Sequence, residues 1–541
     1  MAHQEFDFVI VGAGSAGCVL ADRLSASGKH TVLVLEAGGS DRRFYIQMPL
    51  GYGKTFYDPS VNWMYRAEPD PGLDGSADFW PRGKVVGGSS SINALVYVRG
   101  QREDFDRWRD GGNPGWGYDD VLPYFKGMED NDFGAGDYHG AGGPLHVTDT
   151  RSEVHPLCEA FFRASEQAGL KRNPDFNGAM QEGVGHFQIN TRNGKRCSAA
   201  DAFLRPALRR ANVLLTTEAM ATRVCFEGRR AAGVDYVKGG RTHRVKARRE
   251  VILCGGSVNT PQLLQLSGIG PGALLREHGV EVLLDNPQVG QNLADHQGIN
   301  YTYEANVPTM NQMLRPWWGK LWAGLQYLAL KRGPLSISMN HAGGFFKTSP
   351  KHKTPNMQLY FQAFSTLKPK PGERPILTPD PFSGFSIGLS NCRPTSRGSV
   401  NIKSADPSVH PKIVGNVFST DEDVEEMLEA VKFIRTLARQ PAMREIIKAE
   451  IAPGPMVQSD EDVILDFRRR SGTVYHPAST CRMGPDPRSS VVDPALKAHG
   501  VSGLRIADCS VFPDIISGNT NAAAMMVGAK AADLILADCG N

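Results

Sequence analysis

The stretch FDFVIVGAGSAG, residues 6–17, decides the fold. Its first half is mostly apolar, as in a buried strand, and it runs directly into Gly12, Gly14 and Gly17. The residues that follow, CVLADRLSAS, have the apolar spacing of a helix. HTVLVLEAGG then predicts a second buried strand ending at Glu36, about 20 residues beyond the last glycine. A glycine-rich turn between strand and helix, with an acid at this distance, is typical of a dinucleotide-binding βαβ unit.

Each part of this pattern has a physical reason. Gly12 permits the tight turn, Gly14 lets the backbone approach a pyrophosphate, and Gly17 lets helix and strand pack closely. The helix N-terminus offers free N–H groups to the phosphates. Glu36 would bind the ribose hydroxyls, and its charge disfavours the 2′-phosphate of NADP. The pattern alone leaves NAD and FAD open.

Composition excludes several classes of protein. The chain has 541 residues, 41% hydrophobic and 22% charged, which suits a large globule of more than one domain. A net charge of +3 gives no field that would hold nucleic acid. The nine scattered cysteines have no CxxC or zinc spacing, so we expect reduced thiols. The N-terminus has no basic head, apolar core and cleavage site, and a cytoplasmic protein is expected.

The segment RPWWGKLWAGLQYLALKRG, residues 315–333, has two interpretations. Three tryptophans, an apolar segment of helix length and flanking basic residues fit peripheral membrane contact. The alternative, which we favour from sequence, is an ordinary helix packed on the body or covering a cleft. The segment falls short of the roughly 20 apolar residues that cross a bilayer.

Two further patterns carry no catalytic prediction. AGSAG around Ser15 approximates the GxSxG nucleophile elbow, but its first position is Ala13 and it lies inside the dinucleotide pattern. His139, His146 and His155 lie in a glycine-rich stretch without acids or thiols at metal-binding spacing. We expect them to be loop and surface histidines, and we predict no metal site.

A second glycine-rich motif, PRGKVVGGSSSINALVYVRG, occupies residues 81–100. The amides of Gly87 and Gly88 and the hydroxyls of Ser89 and Ser90 would bind a second face of a diphosphate, or the polar rim of an isoalloxazine ring. Taken alone, the same residues fit a plain Ser/Gly loop. An NAD that is released at each turnover needs fewer protein contacts than two glycine-rich motifs would provide. Residues 81–100 therefore favour FAD.

With these motifs the chain resembles the glucose-methanol-choline (GMC) family of FAD-dependent oxidoreductases. The resemblance rests on VGAGSAG with LEAGG, on GKVVGGSSSIN from Gly83, on GSVNTPQLLQLSGIG from Gly256, and on YHPASTCRMG with ADCSVFPDIISGNTNAAAMMVGAKAADLI near the C-terminus. It is strongest to the bacterial branch of choline and alcohol dehydrogenases. Some members attach FAD through a histidine in the first signature, and Ile92 occupies that position here, which implies non-covalent FAD.

The resemblance also implies site residues. The family's proton-handling histidine falls on His476 and its partner on Asn519. The implied cofactor-binding residues are Gly12, Gly14, Gly17, Glu36, Val86, Asn93, Ala94, Leu95, Val96, Val224, Asp508, Asn519 and Thr520, and the second glycine-rich motif adds Gly88 and Ser89.

The chemistry of alcohol oxidation explains a histidine at residue 476. A hydride leaves a carbinol carbon readily only when the hydroxyl proton is leaving, and a neutral imidazole is suited to take that proton near pH 7. Asn519 would hold the developing alkoxide while the hydride passes to flavin N5. An alanine-rich helix starting near Thr520 or Asn521 would face the reduced, anionic flavin with its positive end.

We therefore predict an α/β protein with a doubly wound, Rossmann-like FAD-binding domain and an interleaved α+β substrate-binding domain with a mixed sheet. Residues 1–299 are mostly FAD-binding, residues 300–470 mostly substrate-binding, and residues 471–541 return to the FAD domain with the catalytic residues. Capped amphipathic helices are predicted from Ser419 and Ser459, and NMQLYFQAFS and FSGFSIGLS are predicted strands.

The predicted reaction is oxidation of a primary alcohol, aliphatic or aromatic, to the aldehyde, with electrons passed to a quinone or another acceptor. The alternatives are an oxidase that produces hydrogen peroxide and a choline dehydrogenase. A non-redox family member, such as a lyase or photodecarboxylase, and a noncatalytic flavin-binding protein are ranked below them.

Overall fold

A computed structural model describes residues 5–366 and 378–540 of the chain. Seven strands within these residues form a first sheet. Its path runs through Val213–Thr216, Val32–Leu35, Glu5–Val11, Arg241–Leu253, Arg230–Lys238 and Met220–Glu227, and Leu504–Ile506 pairs with Arg241–Leu253.

The first sheet is parallel where the predicted βαβ unit lies. Glu5–Val11 pairs in parallel with Val32–Leu35 on one side and with Arg241–Leu253 on the other. All four residues of Val32–Leu35 are buried, as expected for a strand covered on both faces of a parallel sheet. The continuous apolar runs in the sequence follow from this position.

A second sheet is built from the middle of the chain, and its strand pairings are all antiparallel rather than mixed. Its path runs through Ile447–Ala452, Gln297–Ala305, Gly384–Asn391, Met357–Gln362, Ala342–Phe346 and Gly183–His186, and Gly472–Thr473 pairs with Gln297–Ala305. The two predicted strands are confirmed as Met357–Gln362 and Gly384–Asn391.

Helices cover both sheets. Those of eight or more residues are Ser15–Ser25, Arg102–Asp110, Tyr118–Met128, Leu157–Gln167, Gly256–Leu266, Trp317–Leu330, Asp421–Ala438, Asp460–Arg470 and Asn521–Asp538. The predicted helices near residues 419 and 459 are confirmed, and each begins after a hydroxyl cap, Thr420 and Ser459, whose oxygen accepts a backbone N–H.

The two ends of the described chain meet beside the first sheet. Helix Asn521–Asp538 packs against helix Ser15–Ser25, and a methyl group on Gly528 would lie 2.7 Å from the carbonyl oxygen of Ala16. The α/β fold class is confirmed. The boundaries at residues 299 and 470 stay predictions, and residues 1–4, 367–377 and 541 of those ranges lie outside the described residues.

Among the described residues, no helix is both long enough and apolar enough to cross a membrane. All nine cysteines are free thiols, and most of them are buried.

Candidate active site

A cavity of about 1210 Å³ lies between the two sheets. Its lining includes both glycine-rich motifs and also His476 and Asn519. Ligand sites typically measure about 300–1,000 Å³. The volume therefore suits an extended cofactor together with a small substrate.

Close backbone contacts require glycine in the turn that follows the first strand. Gly12 has a φ of +105°, and a methyl group there would lie 2.4 Å from the carbonyl oxygen of Cys254. A methyl group on Gly17 would lie 2.0 Å from the carbonyl oxygen of Gly12. Gly14 instead faces the cavity, and the atom nearest to its added methyl would be 3.9 Å away. Helix Ser15–Ser25 starts here with its N-terminus directed at the cavity.

The second glycine-rich loop closes against the first. Gly87 donates its N–H to the carbonyl of Ala13 at 2.7 Å, and a methyl group on Gly88 would lie 2.7 Å from the Cα of Gly14. Gly88 and Ser89 line the cavity beside Gly14. The two motifs, more than 70 residues apart in the sequence, therefore form one backbone cradle.

Arg196, which the sequence analysis missed, holds this second loop in place. Its buried guanidinium donates to the Asn93 side-chain oxygen at 2.7 Å, to the Asn93 carbonyl at 2.8 Å and to the Ser90 carbonyl at 3.1 Å. Burial lowers the pKa of Arg196 to about 9. The arginine still carries its charge at neutral pH, and these oxygens accept its hydrogen bonds.

Glu36 is buried at the end of the second strand and lines the cavity. Its carboxylate accepts N–H groups from Gly38 at 2.8 Å and Ala13 at 3.0 Å. Burial raises the pKa of Glu36 to about 7, against the lowering effect of those two amides.

The C-terminal helix brings a second N-terminus to the cavity. Ser15, at the start of the first helix, donates its hydroxyl to Asn521 Oδ1 at 2.7 Å. Asn519 and Thr520 immediately precede that helix, which is confirmed as Asn521–Asp538. Asp508 lines the same region, where its Oδ2 accepts the Gly256 N–H at 2.8 Å and the Thr260 hydroxyl at 2.7 Å.

Most of the sequence-predicted residues come together around this cavity. Its lining includes His476, Asn519, Gly12, Gly14, Glu36, Gly88, Ser89, Asn93, Ala94, Leu95, Val96, Asp508 and Thr520. Three others, Gly17, Val86 and Val224, lie behind the lining. The N–H of Val224 donates to the Ser267 hydroxyl at 2.8 Å, and that amide is engaged inside the protein.

The proton-handling end contains a chain of hydrogen bonds that the sequence analysis did not foresee. His476 Nε2 lies 3.1 Å from the Asn519 amide nitrogen, and His476 Nδ1 lies 3.0 Å from His296 Nδ1. His296 Nε2 lies 2.9 Å from the carbonyl oxygen of Cys392, and Gln358 Nε2 lies 3.2 Å from Asn519 Oδ1. His296 is 180 residues from His476 in the sequence.

The carbonyl oxygen of Cys392 lies at one end of these linked hydrogen bonds and determines which atom donates in each of them. A carbonyl oxygen only accepts, so His296 carries its proton on Nε2 and leaves Nδ1 as an acceptor. His476 must then donate from Nδ1, which leaves the lone pair on Nε2. That nitrogen faces Asn519 and the cavity in the form that a base requires.

Burial keeps both histidines neutral. The pKa of His476 lies well below its usual 6.5, because the ring is buried and because His296 and Arg82 disfavour added positive charge. Burial also lowers the pKa of His296 to about 4. The proton arrangement deduced from the carbonyl therefore holds at neutral pH.

The backbone of His476 is anchored separately. Its N–H donates to Asp295 Oδ1 at 2.8 Å, and Arg82 donates to the carbonyl of Tyr475 at 2.7 Å. Burial raises the pKa of Asp295 to about 7. His296 directly follows Asp295 in the sequence, so one short segment orients both the backbone and the ring of His476.

The expectation for His139 was wrong. This side chain is buried, and it bonds to Glu129 at 3.2 Å and to Asp175 at 2.8 Å in a network that includes Arg99. Its acidic partners are 10 and 36 residues away in the sequence, and neither lies at a spacing typical of a metal site. Among the described residues, no group of three or more potential ligands is arranged to hold a metal ion.

The residues present fit FAD. The cradle supplies amides and two helix N-termini for a diphosphate, Glu36 supplies a carboxylate for ribose hydroxyls, and the rest of the cavity has room for a ring system beside His476. Ile92, a hydrocarbon side chain that also lines the cavity, offers no atom for a covalent link. Two sheets that enclose such a cavity are typical of a flavin-dependent oxidoreductase.

Comparison with known proteins identifies the family. Residues 6–298 and 394–528 match the N-terminal and C-terminal regions of GMC oxidoreductases, and the chain belongs to that family. It is 42% identical over 535 residues to an alcohol dehydrogenase (acceptor) of Pseudomonas putida, covering 98% of this chain and 96% of the relative. It is 43% identical over 536 residues to an oxygen-dependent choline dehydrogenase of Rhizobium meliloti (strain 1021), with the same coverage of 98% and 96%.

A solved structure agrees with these matches. The crystal structure of pyridoxine 4-oxidase from Mesorbium loti superposes with a TM-score of 0.88 at 31% identity, covering 97% of this chain and 98% of the other. The predicted family, enzyme class and cofactor are confirmed. The names of the relatives agree with the predicted FAD-dependent oxidation of an alcohol.

Proposed function

We propose that this enzyme oxidises a primary alcohol, aliphatic or aromatic, to the aldehyde, with His476 as the base. The observation that carries the proposal is the buried His476 ring in the cavity lining, with Nε2 3.1 Å from the Asn519 amide nitrogen and Nδ1 3.0 Å from His296 Nδ1. Bound FAD supplies the two-electron oxidant that takes the hydride at its N5.

His476 and Asn519 have separate roles in the reaction. His476 Nε2 takes the hydroxyl proton of the substrate, and the resulting imidazolium keeps its Nδ1–H bonded to His296 at 3.0 Å. The Asn519 amide donates to the alkoxide oxygen. Such a fixed dipole in a water-poor site contributes up to about 3 kcal/mol to the stability of the developing charge.

The cavity lining favours an uncharged alcohol. Aromatic and apolar side chains, including Tyr52, Phe56 and Tyr360, form part of the walls. Among the described lining residues, the carboxylates are Glu36 and Asp508 in the cofactor half and Asp78. Asp78 accepts the Thr473 N–H at 2.6 Å and shares the lining with four arginines. A quaternary ammonium needs an aromatic cage with uncompensated negative charge, so choline is the second candidate.

The electron acceptor is proposed to be a quinone or another acceptor, in a cytoplasmic enzyme that meets the membrane peripherally. Oxygen is the alternative, and its use would produce hydrogen peroxide. Oxygen consumption with and without an added quinone analogue separates the two.

The decisive experiment is an anaerobic screen of alcohols, followed by the bleaching of the flavin absorbance. Primary aliphatic and aromatic alcohols should reduce the flavin, and choline should do so more slowly. A flavin that stays oxidised with every alcohol would instead support a non-redox or noncatalytic flavoprotein.

The same assay tests His476. His476→Ala should keep its FAD and lose about 10³-fold in the rate of flavin reduction, because proton removal no longer assists hydride departure. His243→Ala, on an exposed hairpin, is the control and should reduce like wild type. Wild-type reduction rates in His476→Ala would remove this residue from the mechanism.

A further inference from the structure

Helix Trp317–Leu330 exposes a concentrated apolar surface. We call this surface the tryptophan face; its side chains are Trp317, Trp318, Leu321, Trp322, Leu325, Leu328 and Leu330. Trp317 is 76% exposed and Trp322 is 67% exposed. Single exposed apolar residues are normal on protein surfaces, whereas a contiguous patch of this kind marks an interaction site.

The helix shows two distinct faces. Gly319, Ala323 and Tyr327, spaced four residues apart, are buried against the body of the protein. Their small or flat side chains let the helix lie close to the body, while the bulky residues point outward. The favoured expectation of an ordinary covered helix therefore accounts only for the inner face.

The apolar surface continues onto a neighbouring segment. Phe44, itself 53% exposed, packs edge-on against Tyr327 with ring centroids 6.3 Å apart. A few residues further along, Tyr52 and Phe56 line the active-site cavity. The segment from residue 44 to residue 56 thus joins the tryptophan face to the cavity wall.

The charges around the face are positive. Residues 310–335 contain Arg315, Lys320, Lys331 and Arg332 and no Asp or Glu. Lys54 lies over the exposed Tyr45 ring, 4.1 Å from its centroid, beside the same patch. The neighbouring acid Glu153 lies 3.9 Å from Arg332 and offsets one of these charges. The rim is complementary to an anionic surface.

We infer that the tryptophan face docks this enzyme on the surface of an anionic lipid bilayer. Tryptophan side chains concentrate at the boundary between lipid headgroups and acyl chains, and basic residues beside them bind anionic headgroups. The 14-residue helix is about 21 Å long, too short to span a bilayer and long enough to lie in its surface. A second copy of the chain is disfavoured, because a two-fold contact through this face would bring the same cations together.

This inference deepens the proposed peripheral membrane contact by naming the surface and the lipid charge, and it rests on the surface and not on the reaction. Purified holoenzyme is sedimented with vesicles of phosphatidylcholine alone and of phosphatidylcholine mixed with phosphatidylglycerol. We expect binding to the mixed vesicles that weakens as salt is added.

Glutamate substitutions at apolar and basic residues test whether the tryptophan face is the surface that binds vesicles. Trp318→Glu combined with Trp322→Glu should lose vesicle binding by at least about tenfold, because each carboxylate would enter the headgroup boundary. Met180→Glu combined with Met456→Glu, at residues that are 71% and 88% exposed elsewhere, should bind like wild type. Lys320→Glu should weaken binding more than the control Lys238→Glu, by about fivefold for each lost cation.

Other outcomes would overturn the inference. These are absence of wild-type binding, equal binding by the tryptophan variant, binding to phosphatidylcholine as strong as to the mixed vesicles, or a dimer that forms through this face and excludes vesicles. Flavin content and reduction by alcohol in solution should be unchanged in the tryptophan variant. A failure of the proposed reaction would therefore be seen separately from a failure of docking.

Discussion

The glycine-rich cradle, here called the cofactor end, and the surroundings of His476, the proton-handling end, are built from different chemical groups. The cofactor end is mostly backbone, where Gly12, Gly17 and Gly88 sit at contacts too close for any side chain. The proton-handling end is a relay of side chains, including His476 and His296. Substitution at the first end should therefore determine whether a cofactor is held at all, while substitution at the second should change the rate in a fully loaded enzyme.

The largest effect is expected at the cofactor end. Gly17→Ala places a methyl group 2.0 Å from the carbonyl oxygen of Gly12, so helix and strand must separate and the cradle opens. The purified protein should be colourless, as measured by flavin absorbance per polypeptide. Gly127→Ala, in helix Tyr118–Met128, is the control, since its methyl group would meet no described atom within 4 Å. A yellow Gly17→Ala protein would refute the view that close backbone contact forms the cradle.

The next effect is expected at His296. His296→Leu removes the acceptor for the Nδ1–H of His476, so the imidazolium is less stable and the ring is free to adopt the wrong tautomer. Flavin reduction should slow about 100-fold with FAD content unchanged. His296→Gln, which retains a carbonyl acceptor, should recover part of the rate.

The control for His296 is another buried histidine. His341 is also fully buried, with a pKa lowered to about 4, and its Nδ1 lies 3.0 Å from the Ser338 carbonyl. His341→Leu should cost stability more than rate. An equal loss of flavin-reduction rate in His296→Leu and His341→Leu would indicate that His296 contributes only to packing.

A smaller effect is expected from pH. The base must be neutral, and the pKa of His476 is held well below 6.5 mainly by burial. The flavin-reduction rate should therefore stay level as pH falls to 6.5 and decline only as pH drops through the lowered pKa. Stopped-flow reduction across this range measures the profile. Asp295 and Glu36 each have a pKa of about 7 and also titrate in or beside the cavity, so a decline centred near pH 7 that persists in both Asp295→Asn and FAD-loaded Glu36→Gln would contradict the assignment.

The smallest effect is expected outside the cofactor end and the proton-handling end. Ser459 caps helix Asp460–Arg470 by accepting the Asp462 N–H at 3.1 Å. Ser459→Ala should lower the free energy of unfolding by about 1 kcal/mol in chemical denaturation. Flavin content and reduction rate should not change. Ser152→Ala, at an exposed loop residue, should stay within about 0.5 kcal/mol of wild type.

The same contrast explains what the sequence could predict. The cradle depends on short-range steric rules, so the spacing from Gly12 to Glu36 is enough to predict a strand, a helix and a dinucleotide-binding turn, although not the choice between NAD and FAD. His296 has no local pattern, because its role depends on a carbonyl at Cys392 and a ring at His476, 96 and 180 residues away. Arg196 and Gln358 were missed for the same reason. The tryptophan face was visible in sequence, but only the fold shows which side of its helix is covered.

The meeting of the two chain termini has a consequence for biosynthesis. The helix that begins at Asn521 completes the cradle that Gly12 starts, so an emerging polypeptide cannot enclose its cofactor until this helix has been translated. Flavin loading is therefore a step that follows synthesis of this helix, and chains truncated before it should accumulate as apoprotein however much flavin the cell contains.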